Sequence, residues 1–331
     1  MKLKISYLIP VYNCQNTIER CLRSIYSDKY LITVILINDN SNDKTMRIVN
    51  SLKNNLPYRL IIINNKINMG ISESLNIGID LSINEDVAYI LRLDGDDFNV
   101  RGRTDFQVDF MEKNKNIILS SSNAYFLKNN KLITSFLANY KSKFEDYFKP
   151  FISLICSLNM HPTFIFRIEP FNKYNLRYGY LPEKFLNQCD FAPIKSGVED
   201  LLIVNTILFI YGRDSIVKLT DKKLIFYNLN ENGLTLKNTR DHNNSIDKII
   251  LANFILYNSK IPSVLNLYEV FKISQKISRK NYKNNIVFNL FNTLIGSLII
   301  GLRYYYFLIP FSFILLIISP RVFVQTFRFY K

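Results

Sequence analysis

"LRLDGDDF", residues 91–98, sets three carboxylates, Asp94, Asp96 and Asp97, within four positions directly after an apolar run. Carboxylates this close repel, and each raises the pKa of the next, so positive charge is expected among them. The run that leads into them, "VAYILRLD" at 87–94, reads as a buried strand that the acidic turn closes.

Three similar runs precede it. "ISYLIPVYN" (5–13), "TVILIND" (33–39) and "YRLIIINN" (58–65) are short and almost continuously apolar. Helical segments lie between them. Asn16 is expected to cap a helix carrying Ile18, Cys21, Leu22 and Ile25. "NSNDKTMRIVNSL" begins a second, with Met46, Val49 and Leu52 on one face, and "GISESLNIGIDLS" forms a third. The βαβαβαβ alternation implies a parallel sheet covered on both faces. Such sheets bind ligands beyond the carboxyl ends of their strands. The polar runs "PVYN", "NDNS" and "DGDD" all fall at those ends. A divalent cation, Mg2+ or Mn2+, accounts for the acidic turn, because it takes one or two carboxylates and shares substrate phosphates. The competing structural reading is a charged turn in which Asp97 caps the next helix.

A length of 331 residues fits two units, or one large α/β unit with an appendage. A net charge of +15 leaves three partner classes: nucleic acid, an anionic membrane surface, or phosphorylated substrates. The sequence carries no zinc-finger spacing and no RNP-like or basic-zipper pattern, so nucleic acid is not expected. Cys14, Cys21, Cys156 and Cys189 show no metal-ligand spacing. The N-terminal apolar stretch is too short for a signal peptide, and Pro10 interrupts it. A cytosolic active site with reduced thiols is expected.

"YLIPVYN", "LINDNSNDKT", "NKINMGISESLNIGI", "LRLDGDDF", "HPTFIFR" and "GVEDLLIVNTIL" follow one another over roughly residues 3–235. Taken in order, this set resembles glycosyltransferase family 2 of the GT-A fold. The resemblance implies an α/β, Rossmann-like nucleotide-diphospho-sugar transferase fold and assigns roles by position. Pro10, Val11 and Tyr12 would line the nucleotide pocket. Asp39 would accept from the base, most often uracil, and Asn68 and Gly70 would pass the nucleotide. Asp94, with Gly95, would contact the ribose or sugar, Asp96 would ligate Mn2+ or Mg2+, and Asp200 would be the general base. Asn38 and Asn40 depart from the commonest pattern, which has Asp and Gly there. The stretch between "HPTFIFR" and Glu199 is longer than usual, so acceptor recognition is not carried over.

A general base must be ionised and within hydrogen-bond reach of the acceptor hydroxyl. Asp200, with Glu199, opens an apolar helix whose dipole favours an anion, although acidic residues at helix starts are common for stability alone. Glu199 and His161 are secondary candidates: Glu199 as a structural partner, His161 as a residue packed beside the sheet or touching acceptor or phosphate.

The chain divides by sequence into a catalytic domain at 1–235, a helical extension at 236–285 that includes "SIDKIILANFILYN", and an apolar tail at 286–331. Within the first, the nucleotide-sugar half ends near 100 and the acceptor half follows. The tail holds two apolar stretches separated by Arg303, each short of the roughly 20 residues that span a bilayer. Lys272, Lys276, Arg279, Lys280 and Lys283 precede it, and Arg321, Arg328 and Lys331 follow. Basic charge at both ends fits monotopic or hairpin attachment to the cytoplasmic face of the membrane. The alternative is a helical pair packed on the catalytic domain or on a second copy.

The expected function is inverting, metal-dependent sugar transfer from a nucleotide-diphosphate donor, a UDP-sugar by family habit. The expected acceptor is a glycan or lipid-linked glycan of a bacterial surface polysaccharide or lipopolysaccharide. A nucleotidyltransferase would also use a parallel sheet and an acidic pair, but "IPVYNCQNT" lacks the Gly-rich basic loop such enzymes carry. A membrane-bound scaffold with a degenerate transferase domain is disfavoured by the intact Asp39, Asp94, Asp96 and Asp200.

Overall fold

The apolar runs become strands where their β-branched residues can be buried on both faces. The computed structural model describes residues 2–133, 160–186, 191–194, 199–229 and Ala252, all within the unit Met1–Ser259. Strand β1 (Lys4–Val11), β2 (Leu31–Asn38), β3 (Arg59–Asn64) and β4 (Tyr89–Arg92) coincide with the four runs. They pair in parallel in the order β3-β2-β1-β4. The chain leaves β1 toward β2 and β3, then returns through a helix to β4 on the other side. That reversal opens a crevice at the carboxyl ends of β1 and β4, where open α/β sheets bind ligands.

The sheet continues from β4 into β8 (Ile165–Arg167), which runs antiparallel to it, and then β6 (Leu119–Lys128), β9 (Ile216–Asn228) and β5 (Phe98–Asn99). A short β7 (Lys131–Ile133) pairs with β6. The acceptor-half strand β8 thus sits directly against the strand that carries the acidic turn.

Alternation along the strands sorts the core into two layers. Tyr7, Ile9, Val34 and Leu36 pack with Ile18, Cys21 and Leu22 of α1 (Ile18–Arg23), Val49 of α2 (Thr45–Leu52) and Val108 of α4 (Arg103–Lys113). Leu8, Ile35 and Ile37 face the other way, onto Leu75 and Ile79 of α3 (Ile71–Asn84), Phe171 of α5 (Glu169–Tyr174) and Ile203 and Ile207 of α6 (Glu199–Tyr211). Helices therefore cover both faces, as continuous apolar strands require.

Two local expectations are corrected. Thr17, not Asn16, precedes α1, and its hydroxyl bonds Cys14 O and Gly95 O rather than the helix amides. Asp97 does not cap a helix, because a two-residue strand follows it; its Oδ1 accepts the Asn228 amide at 2.8 Å, tying the acidic turn to the end of β9.

Among the described residues no helix is long and apolar enough to cross a membrane. The helix expected at 245–258 lies outside the described residues apart from Ala252, which is helical and buried. The apolar tail lies outside them entirely.

Candidate donor and catalytic site

The turn after β2 is built around one carboxylate. Asp39 Oδ1 accepts from Asn65 Nδ2 at 2.9 Å and from the Met69 amide at 2.8 Å, and Oδ2 accepts the Gly70 amide at 2.9 Å. Asn68 Nδ2 donates to the Asp39 carbonyl at 3.2 Å, and the Asp39 amide donates to Val11 O at 2.9 Å. Val11, Asp39, Asn68 and Gly70, distant in sequence, thus meet at the ends of β1, β2 and β3. A carboxylate offers about four acceptor positions; three serve the chain itself, so a base could use only what remains. Gly70 has φ +88°, a conformation glycine adopts without strain.

The two departures from the family pattern have local causes. Asn40 has φ +63°, a left-handed conformation that Asn tolerates in place of Gly. Asn38 donates from Nδ2 to Asn64 Oδ1 at 2.9 Å across the β2–β3 register and accepts the Ser41 amide at 2.9 Å.

The positive charge expected among Asp94, Asp96 and Asp97 is present as two buried guanidinium groups. Arg92 Nη2 donates to Asp94 Oδ1 at 2.6 Å. Arg103 lies beneath, donating to Gln107 Oε1, Asn99 Oδ1 and the Arg92 carbonyl, each at 2.8 Å. Reading the turn from carboxylates alone missed both. The available signal was Arg92 two residues before Asp94, hence on the same face of an extended strand.

These charges do not neutralise the turn. Burial and the neighbouring Asp94 push the Asp96 carboxyl up to about 6. Burial, followed by Asp96 and Asp94, pushes Asp97 well above the ordinary carboxylate range, and its Oδ2 has no hydrogen-bond partner among the described residues. Among the described residues no three His, Cys, Asp or Glu side chains are grouped to hold a metal. A Mg2+ or Mn2+ that shares its sphere with a diphosphate needs only one or two carboxylates. Asp96, with Asp94 beside it, fits that donor set: hard oxygens with an excess of negative charge at a strand end. Gly95 is fixed by space, since a Cβ there would lie 2.7 Å from Val11 Cγ1 and 3.2 Å from Cys14 Sγ.

The acceptor half brings its own groups to the same region. His161 Nε2 lies 3.2 Å from Arg92 Nε and 2.9 Å from the Tyr178 hydroxyl. Burial chiefly pushes the Tyr178 hydroxyl up, and the charges of Arg92, Asp200, Glu199 and Asp94 act on it besides. Asp200 is the second residue of α6, and its Oδ1 accepts the Leu201 amide at 2.8 Å. Burial raises the Asp200 carboxyl, while backbone hydrogen bonds and Arg92 hold it down. Burial, reinforced by Arg92, depresses His161 well below the usual histidine range. Tyr178 was not singled out from sequence, where it is one of 21 tyrosines.

Tyr12 is 51% exposed beyond β1, with Pro10 inside the strand. A surface hollow of about 570 Å³ beside α1 is lined by Asn16, Glu19, Arg20, Arg23 and Ser24, and none of the expected site residues borders it.

The family model described as glycosyl transferase family 2 matches residues 6–174, just over half of the chain. The chain belongs to glycosyl transferase family 2. Among curated members, it is 34% identical over 113 residues to the putative glycosyltransferase EpsE of Bacillus subtilis, covering 34% of this chain and 40% of that one. It is 34% identical over 125 residues to WfaP of Escherichia coli, named a UDP-Glc:alpha-D-GlcNAc-diphosphoundecaprenol beta-1,3-glucosyltransferase, covering 38% of this chain and 47% of that one. The match therefore spans less than half of each of these relatives. The family 2 chain also shares its GT-A fold with S. aureus TarS 1–349 in complex with UDP-GlcNAc, at TM-score 0.54 and 17% identity over 76% of this chain and 66% of that one. Mannosyltransferase PcManGT from Pyrobaculum calidifontis, in complex with GDP-Man and Mn2+, gives TM-score 0.53 and 12% identity over 91% and 86%. At such identities the likeness is one of fold.

Proposed function

We propose that this chain is an inverting glycosyltransferase that moves a sugar from a nucleotide-diphosphate donor, a UDP-sugar, to an acceptor hydroxyl on a glycan or lipid-linked glycan. The observation that carries the reading is that the Asp94–Gly95–Asp96 turn and the Asp39–Gly70 turn both adjoin Val11 at the end of β1, Gly95 against its side chain and Asp39 N–H on its carbonyl, beside the β1/β4 crevice where a diphosphate and a nucleoside can be held together. Tyr12, Val11 and the Asn68–Gly70 turn would border the nucleoside, Asp94 the ribose or sugar. The acceptor oxygen bonds to the anomeric carbon as its bond to the diphosphate breaks, and Asp200 takes the acceptor proton. A Mn2+ or Mg2+ on Asp96 would supply charge neutralisation for the departing diphosphate. One curated relative, WfaP, whose name gives UDP-Glc and a diphosphoundecaprenol acceptor, supports a role in bacterial surface polysaccharide or lipopolysaccharide synthesis.

The test is a panel of nucleotide sugars, measured for binding with Mn2+ and with chelator. Donor affinity should fall on chelation and in Asp96→Asn. Asp200→Asn should leave it nearly intact but slow transfer about 10²–10⁴-fold, the usual worth of a positioned base. The product should carry inverted anomeric configuration by NMR. Equal donor binding with and without metal, or a retained configuration, would reject the mechanism; release of inorganic diphosphate from a nucleoside triphosphate and a sugar 1-phosphate would indicate nucleotidyl transfer instead. For the basic-flanked tail at 286–331 we propose attachment to anionic membranes. Full-length protein should then sediment with phosphatidylserine vesicles and less with neutral ones, each nearby Lys or Arg contributing about 1 kcal/mol.

A further inference from the structure

Arg92 stands inside β4 with none of its side chain exposed, where a guanidinium is costly unless its donors are met. Nη1 donates to the carbonyls of Leu8 at 2.8 Å and Leu93 at 3.3 Å. Nη2 donates to Asp94 Oδ1 at 2.6 Å, and Nε to His161 Nε2 at 3.2 Å. Four of the five guanidinium hydrogens are thus engaged within the chain. Arg92 is not placed to bind substrate, but it touches one group on each side of the site. Asp94 belongs to the donor half; its side chain keeps 27% exposure. His161 precedes β8 in the acceptor half.

The bond to His161 has a chemical consequence. Arginine cannot accept and does not deprotonate, so His161 Nε2 must be the acceptor. The imidazole is then neutral and carries its proton on Nδ1. Tyr178, 2.9 Å from the same nitrogen, can then only donate to it, sharing the single ring lone pair with Arg92 in a three-centre bond and turning the hydroxyl lone pairs away from the ring.

We infer that Arg92 is a positioning residue coupling the two halves of the site, fixing the Asp94 carboxylate directly and the Tyr178 hydroxyl through a neutral, Nδ1-protonated His161. The inference rests on the glycosyltransferase reading for its catalytic meaning, but its geometry can be tested without activity. Its charge also reaches Asp200, lowering that carboxyl against burial and Asp94, so the guanidinium influences donor contact, acceptor contact and base together.

The chain has only two histidines, His161 and His242, so imidazole ¹⁵N resonances of the full-length protein are assigned with one His242→Gln variant. Native His161 should be neutral and Nδ1-protonated at pH 7. Arg92→Met should shift the tautomer toward Nε2–H. Arg92→Lys, which keeps charge but loses the planar fork, should restore the native tautomer only in part. In transfer assays, the effects of Asp94→Asn and His161→Gln should depart from multiplying by about 2- to 100-fold in the native background, and should multiply once Arg92→Met is present. An Nε2-protonated His161 in the native protein would overturn the inference even if Arg92→Met fails to fold. So would a tautomer indifferent to Arg92→Met, or Asp94 and His161 effects that already multiply. A chain that transfers no sugar yet shows the expected tautomer would reject the functional reading and leave the Arg92 geometry standing.

Discussion

Oδ2 of Asp39 accepts the amide of Gly70 at 2.9 Å, so the turn after β2 grips the residue that opens α3. The same carboxylate holds the Met69 amide and Asn65, and it is only 6% exposed. Its first duty is to shape the nucleotide side of the crevice.

Asp39→Ala should therefore cost stability as well as donor affinity. Each buried donor left without a partner is worth about 1–3 kcal/mol, less where water enters. A loss of about 2–4 kcal/mol in urea unfolding is expected. A variant as stable as the native chain, with only donor binding reduced, would mean that Asp39 serves the base alone.

Gly95→Ala should strain the contact between the acidic turn and β1, because its Cβ would come within 2.7 Å of Val11 Cγ1. Overpacking of this kind costs about 1–3 kcal/mol. Combining it with Val11→Ala should recover much of the loss, measured by thermal unfolding. Independent, additive losses in the double variant would show that the clash is relieved elsewhere.

His161 should make stability depend on pH. Its folded pKa lies below the ordinary 6.5, so the unfolded chain binds the extra proton. The contribution of a neutral His161 is complete above about pH 6.5 and declines as pH falls below it. His161→Gln, whose amide oxygen can still accept from Arg92, should flatten that slope between about pH 6.5 and 5. An unchanged slope would place the native imidazole in ordinary solvent.

Arg103 is buried with three side-chain or backbone acceptors and lies 5.8 Å from the Tyr7 ring centre. Arg103→Met strands Asn99, Gln107 and the Arg92 carbonyl and removes positive charge beneath the acidic turn. A loss of about 3 kcal/mol or more in chemical denaturation is expected. A loss under about 1 kcal/mol would mean that its acceptors find new partners.

The donor half was legible because its strands are buried on both faces. Runs such as "YLIPV" and "VILIN" have no other stable home, and their polar ends fall at one edge of a parallel sheet. The acceptor half was not legible in the same way. β5 has two residues and β8 three, too few for a period, and β9 is largely half-buried or exposed, so its pairing comes from tertiary context. α4 mixes Arg103, Gln107 and Val108 on its buried face, which hides its amphipathicity. Charge was misjudged for a similar reason: Arg92 reads as an interruption of an apolar strand until its neighbour two residues on is considered. His161 packs beside the sheet, as one expectation held, but against an arginine rather than apolar residues alone.

The short β8 has a consequence for dissection of the molecule. It pairs with β4 on one side and β6 on the other, so the two halves share a single hydrogen-bonded ladder. A fragment ending near residue 100 would present β4, four buried residues long, as a raw sheet edge with free amides and carbonyls. Such edges recruit strands from other molecules. The nucleotide half expressed alone should thus precipitate or self-associate, and insertions meant to retune the acceptor side are safer in loops than anywhere between 165 and 167.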